Sequence, residues 1–245
     1  AASDVYKRQL EDSNIQSNFV QVDEDTRINV KLKSGQETEI NAPGPKVTHA
    51  QFEQLLSQIR RTTKDDIVIV AGSVPKSIPS DAYAQIAQIT EKTGAQLVVD
   101  AEKDLVETVL PYRPLFIKPN KDELEVMFNT TVKSDEEVIK YGKEILKKGA
   151  QSVIISLGGD GAIYVDQHQS IKAVNPQGHV VNTVGSGDST VAGMVAGLSM
   201  GLNVDEAFQQ AVASGTATAF SEDLATRDAI ENIKSQVTIS VLDGE

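Results

Sequence analysis

The sequence predicts an α/β fold in which a doubly wound, mainly parallel sheet is flanked by helices and carries a short β-hairpin near its beginning. Two patterns lead there. From Ile67 onward, short apolar runs at 67–71, 97–99, 115–117 and 153–156 are separated by helical stretches, as parallel strands buried on both faces are. Earlier, Ile28, Val30 and Leu32 alternate with Asn29, Lys31 and Lys33, the period of a half-exposed strand. Repeated strand and helix units in one sheet imply right-handed crossovers.

In chain order, the first element is a hairpin over about 27–41, with Ser34 and Gly35 separating its two extended runs. Thr48 and Gln51 have the spacing of a capping box that starts a helix, and Gly94 and Gly149 stand where helices should stop. A strand pair follows around 161–165 and 171–174, then a glycine-rich turn and two long helices. Nothing after Thr48 has the composition of a flexible linker. Residues 10–245 therefore read as one domain bearing the hairpin as an appendage.

Composition narrows the function. Among 245 residues, 35 acidic against 23 basic give a net charge of −12, which disfavours a nucleic-acid partner and requires any small anion to be met by a local cationic or amide-lined pocket. With no cysteine, disulfides, thiolate zinc sites and cysteine nucleophiles are excluded. His49, His168 and His179 lack ligand spacing. The longest apolar stretch, 191–202, is too short to span a bilayer and is rich in glycine and alanine, as a closely packed helix would be. Residues 1–9 are polar and charged rather than a secretory signal. A cytoplasmic protein without a membrane partner is expected.

The most informative segment is Asn182-Thr183-Val184-Gly185-Ser186-Gly187-Asp188-Ser189-Thr190, followed directly by the small-residue helix. Amides of Gly185, Ser186 and Gly187 at the positive end of a helix would suit the charge on a phosphoryl group in transfer. Asp188 beside them could accept the proton of an attacking hydroxyl. An ordinary loop with an acidic residue in the first helical turn is the alternative. A P-loop is absent, and Thr190 stands where a dinucleotide fingerprint needs its third glycine. Ser156-Leu157-Gly158-Gly159-Asp160-Gly161 reads either as a β-turn or as a loop around phosphates. In Lys118-Pro119-Asn120-Lys121-Asp122-Glu123, Asn120 and Glu123 either cap a helix or project together toward an oxygen-rich site.

The run from Asn182 to Gly201 resembles the C-terminal signature of PfkB-family carbohydrate kinases of ribokinase-like fold. That resemblance implies that Asp188 is the catalytic base, with Gly185, Ser186 and Gly187 as the anion site. It implies that Ser156, Gly158, Gly161, Gly187 and Asp188 contact ATP, and that Asn120 and Glu123 organise Mg2+. Within the family, residues 25–33, 37–41 and 214–220 look most like 1-phosphofructokinases. In those enzymes the hairpin belongs to a lid, an arginine at the place of Arg27 holds the substrate phosphate, and a segment like Ala71-Gly72-Ser73 contacts the sugar. Arg27, Gly72, Ser73 and Asp188 are thus the expected substrate-binding residues. A guanidinium suits the first role because it can hold two phosphate oxygens at once.

The implied reaction is ATP-dependent phosphorylation of fructose 1-phosphate at its C6 hydroxyl to fructose 1,6-bisphosphate. Tagatose-6-phosphate kinase, or a non-catalytic nucleotide-binding remnant, is the alternative. The resemblance starts near residue 10, and residues 1–9 carry none. The family's first strand, its sugar-binding aspartate and its Gly-Gly-Lys-Gly-x-Asn segment have no counterpart in these residues. The expected partners are a sugar phosphate and ATP, with a homodimer expected of the full-length enzyme.

Overall fold

The structure, a computed structural model, describes residues 2–34, 36–42 and 44–244. Helix α1 (Ala2–Asp12) opens the chain, a helix that its polar composition did not announce. Strands β1 (Asn29–Ser34) and β2 (Gln36–Asn41) form the expected antiparallel hairpin, with Val30 opposite Ile40. Ser34 is still strand, and the expected turn residue Gly35 lies outside the described residues. There follow α2 (His49–Ile59), β3 (Ile67–Ala71), α3 (Ala82–Thr93), β4 (Gln96–Asp100), α4 (Lys103–Val109), β5 (Phe116–Ile117), α5 (Lys121–Phe128), α6 (Asp135–Lys148) and β6 (Val153–Ser156). The rest comprises β7 (Ala162–Val165), β8 (Gln169–Val174), α7 (Ser186–Ser199), α8 (Val204–Ala219), α9 (Arg227–Lys234) and β9 (Thr238–Gly244).

Strands β3 to β9 form one seven-stranded sheet in sequence order. Pairing from β3 to β6 is parallel, as the buried apolar runs predict. From β6 to β9 it is antiparallel, so the parallel character is confined to the first four strands. Thr48 and Gln51 do form a capping box at the start of α2, and Gly94 and Gly149 cap α3 and α6 at their ends. Among the described residues no helix is long and apolar enough to cross a membrane.

The two-residue period of the strands divides the core into two layers. Leu97, Val99, Ile117, Val153, Ile155, Ile163 and Val165 face the helices α2 to α6. Val98, Phe116, Ile154, Tyr164 and Ile171 face α7 and α8. Fully buried Phe116 and Phe208 both belong to the second layer, where Phe208 stacks at a tilt on Tyr164 at 5.7 Å, each burial stabilising the fold by about 2–3 kcal/mol. Helices on both faces leave the carboxyl ends of the parallel strands open, and those ends hold the residues with chemistry.

Helix α7 reaches this edge through unusually close packing against α8. A methyl group on Gly193 would lie 2.6 Å from Ser214 Oγ and 2.8 Å from Ala211 Cα, and one on Gly197 would lie 2.8 Å from Ala207 Cα. The small residues at 191–202 thus let two backbones touch. Gly193→Ala should cost about 1–3 kcal/mol, the scale of overpacking in a tight core, measured as a lowered urea midpoint. An unchanged midpoint would show that the two helices part without penalty.

Candidate active site

The site is assembled from strand ends, the usual place for ligands in open α/β sheets. Gly72 and Ser73 leave β3, Asp100 ends β4, Lys118 to Asn120 leave β5, and Ser156 ends β6. Neighbouring ends are tied together: the Gly72 amide donates to the Asp100 carbonyl at 3.0 Å and the Ser156 amide to the Pro119 carbonyl at 3.1 Å. Tyr83 from α3 donates its hydroxyl to the Gly72 carbonyl at 2.7 Å. Burial, reinforced by the Asp100 charge, pushes that phenol up to about 12, so Tyr83 stays a neutral donor through the physiological range.

Helix α7 brings the glycine-rich segment to these strand ends. Gly185, with φ of 81°, is its N-cap; this left-handed conformation needs glycine, and a side chain there would also meet Leu224 at 2.9 Å. Ser186, Gly187 and Asp188 form the first turn. At Gly187 a methyl group would come within 3.2 Å of Lys118 Nζ and 3.9 Å of Asp100 Oδ2. The missing side chain lets an ammonium stand directly against the helix terminus. Lys118 is paired with Asp100 at 3.2 Å, the two side chains being only 7% and 18% exposed. Desolvation raises the Asp100 carboxyl above the ordinary range, Lys118 opposes the shift, and Asp188 adds to it.

Two cationic elements, the ammonium and the positive end of the helix, therefore converge with two carboxylates. Asp188 is exposed in the first turn of α7. The Ser186 hydroxyl oxygen is buried and has no hydrogen-bond partner among the described residues. Of these residues, Asp100 and Lys118 were missed in the sequence reading. The available signal was an aspartate closing the apolar run at 97–99 and a lysine opening the Lys-Pro-Asn segment.

The other expected residues fall into distinct groups. Arg27 meets Ser73, its Nη1 donating to Oγ at 2.8 Å, so two residues far apart in sequence and both assigned to the sugar phosphate are in contact. No described contact links Arg27 to Asp188. Asn120 and Glu123 form a reciprocal capping box: Asn120 Oδ1 accepts from the Glu123 amide at 2.8 Å, and Glu123 Oε2 accepts from the Asn120 amide at 2.7 Å. The helix-start reading is realised in full. Asn120 also bridges to Ser156 between the strands, so the cap adjoins the next loop. In that loop Gly158 and Gly159 face open space, whereas a side chain on Gly161 would strike the Ala173 carbonyl, which makes Gly161 the turn glycine. Among the described residues no cluster of three His, Cys, Asp or Glu could hold a metal.

Comparison with known proteins shows the family. The chain belongs to the pfkB family of carbohydrate kinases, whose pattern it matches over residues 1–229, the first nine included. It is 42% identical over 233 residues to the 1-phosphofructokinase of Bacillus subtilis, covering 95% of this chain and 77% of that one. It is 35% identical to the D-tagatose-1-phosphate kinase of Bacillus licheniformis, covering 96% and 78%. A Staphylococcus aureus crystal structure, provisionally assigned as a phosphofructokinase, superposes with a TM-score of 0.88 at 79% identity, covering 97% of this chain and 78% of that one. The sheet with helices on both faces is the ribokinase-like fold of this family.

The ion pair supplies a pH test. In Lys118→Met the buried Asp100 loses the partner that lowers its pKa, and a carboxyl whose folded pKa is raised contributes stability below its unfolded pKa that is lost as pH rises. The variant should therefore be about 3 kcal/mol less stable than the parent at pH 7, the usual cost of breaking a buried pair. The deficit should shrink at an acidic pH, where the Asp100 carboxyl, held above its ordinary range by burial, takes up a proton. Urea unfolding at the two pH values checks this; an equal deficit at both would show that Asp100 carries no buried charge.

Proposed function

We propose that the site transfers the γ-phosphoryl group of ATP to the C6 hydroxyl of fructose 1-phosphate, giving ADP and fructose 1,6-bisphosphate. The observation that carries this reading is the placement of Asp188 in the first turn of α7, with Lys118 pressed against the same turn at Gly187. Asp188 takes the proton of the C6 hydroxyl as its oxygen bonds to phosphorus, and the bond from phosphorus to the bridging oxygen of ADP breaks. The amides of Gly185 and Gly187 and the Lys118 ammonium hold the charge on the phosphoryl oxygens in transfer, while the Ser186 amide, expected to join them, donates to the Thr183 carbonyl at 3.2 Å. The loop from Ser156 to Gly161 receives the nucleotide phosphates.

Mg2+ bound with ATP supplies charge neutralisation across the phosphates. Such an ion needs only one or two protein carboxylates beside the phosphates and water, and Glu123 fits: Oε2 closes the α5 cap, and Oε1 makes no described hydrogen bond. Asn120 is less available, since its Oδ1 is taken by the Glu123 amide.

On the sugar side, Arg27 grips the 1-phosphate with its fork of donors, while Ser73 orients the guanidinium and Gly72 lets the sugar approach the backbone. The hairpin acts as a partial lid. Ile28, Val30 and Ile40 are 71%, 41% and 55% exposed, an apolar surface suited to burial against a second copy in a homodimer. An acidic, cysteine-free kinase of small phosphates fits the cytoplasm.

The name of the Bacillus subtilis relative favours fructose 1-phosphate, and that of the Bacillus licheniformis relative makes tagatose 1-phosphate the competitor to test. The assay compares this chain alone with the chain joined to the amino-terminal segment of a relative, following ADP release with each sugar phosphate. Turnover is expected of the joined chain, with kcat/KM highest for fructose 1-phosphate; a higher value for tagatose 1-phosphate or tagatose 6-phosphate would replace the substrate. In the active form Asp188→Asn should lower kcat by about a thousandfold or more while ATP affinity stays within about twofold. Near-normal turnover would remove Asp188 as the base. Arg27→Ala should raise KM for the sugar phosphate about tenfold to a hundredfold, the effect of losing a charged hydrogen bond, and an unchanged KM would remove Arg27 from the phosphate site.

A further inference from the structure

Asn175 follows β8 and belongs to none of the segments discussed so far, yet its side chain is fully engaged. Its Nδ2 donates to the Gly158 carbonyl at 3.0 Å and lies 3.4 Å from the Gly159 carbonyl. Its Oδ1 lies 2.9 Å from Thr216 Oγ1 on α8, whose single hydroxyl proton also faces the Val212 carbonyl at 2.8 Å. Thr216 is buried, and its neighbour Gly215 packs against the first turn of α7, where a methyl group would stand 2.9 Å from the Ser186 carbonyl. One asparagine thus bridges the loop after β6 and the helix that supports the Gly185 to Asp188 segment.

The geometry has a chemical consequence. In a trans peptide the N–H points opposite to its C=O, so holding the Gly158 carbonyl toward Asn175 turns the Gly159 N–H away from it. That N–H has no protein acceptor among the described hydrogen bonds, whereas the next two amides are used inside the turn, Asp160 donating to Leu157 and Gly161 to Gly158. Space beside Gly158 and Gly159 is open. An amide without a protein acceptor, in a loop whose glycines have open space where side chains would stand, is a donor for an anionic oxygen.

We propose that Asn175 is a positioning residue for the nucleotide: oriented by Thr216, it pins the Gly158 and Gly159 carbonyls so that the Gly159 amide presents its hydrogen to a phosphate oxygen of ATP. This rests on the kinase reading above. Asn175 does not touch the reacting atoms; it acts through the loop.

The test uses Asn175→Ala, the nearly isosteric and uncharged Thr216→Val, and the double variant, all matched to the parent for global stability by urea unfolding. Without nucleotide, amide exchange at 157–161 should quicken by about threefold to tenfold in each single variant, the factor given by one ordinary hydrogen bond. The Kd for magnesium-ATP, by calorimetry, should rise by a similar factor, with fructose 1-phosphate binding unmoved. Because Thr216 acts through Asn175, adding Thr216→Val to Asn175→Ala should change nothing further. Unchanged loop exchange, an unchanged Kd in Asn175→Ala, or additive effects in the double variant would each overturn the clamp while leaving the kinase reading intact. A parent protein that binds no magnesium-ATP would instead overturn the kinase reading, and the clamp with it.

Discussion

A buried lysine set against the positive end of a helix is an unfavourable neighbour, and the arrangement around Lys118 is organised to make it tolerable. Asp100 offsets the ammonium at 3.2 Å, at the cost of holding a carboxylate in a place that resists its charge. Gly187 removes the side chain that would keep the ammonium away from α7. In the proposed reaction, the phosphoryl group in transfer brings its negative charge to both the ammonium and the helix end. The strain of gathering like charges is thereby converted into affinity for the species whose charge must be held, which is how preorganised electrostatic sites act.

Much of the fold serves to bring these groups to one edge. β4 and β5 deliver Asp100 and Lys118 from adjacent strands, so a parallel pairing of register Val99 to Ile117 sets their separation. α7 must approach from the opposite layer with its amino end at the same edge. The glycines at 193 and 197 permit its contact with α8, and Gly215 lets α8 lie against the turn that carries Asp188. Hydrophobic packing of Phe116 and Phe208 in the layer beneath α7 and α8 fixes this approach.

The sequence made the parallel strands legible because their apolar runs are short, uninterrupted and β-branched, and it made the capping boxes legible because their spacing is local. The glycine-rich helix start was readable for the same reason: Gly185 to Asp188 and the small-residue helix after them are contiguous. Asp100 and Lys118 were not, since their meaning lies in a contact across two strands. Strand β9 was overlooked although Thr238 to Val241 alternates; it joins the sheet as an edge beside β8 only after three helices have intervened. Helix α1 is polar throughout. Asn120 and Glu123 show a further limit, because a capping box and a magnesium-organising pair have the same spacing, and here the cap demonstrably uses both residues.

The central claim is that the first turn of α7 and Lys118 together hold the phosphoryl group. It is tested most directly by a crystal structure of the protein with ADP, magnesium and aluminium fluoride, a planar mimic of the group in transfer. The fluoride should lie against the amides of Gly185 and Gly187, within hydrogen-bonding reach of Lys118 Nζ and beside Asp188. A mimic bound elsewhere, with Lys118 still engaged only by Asp100, would contradict the account.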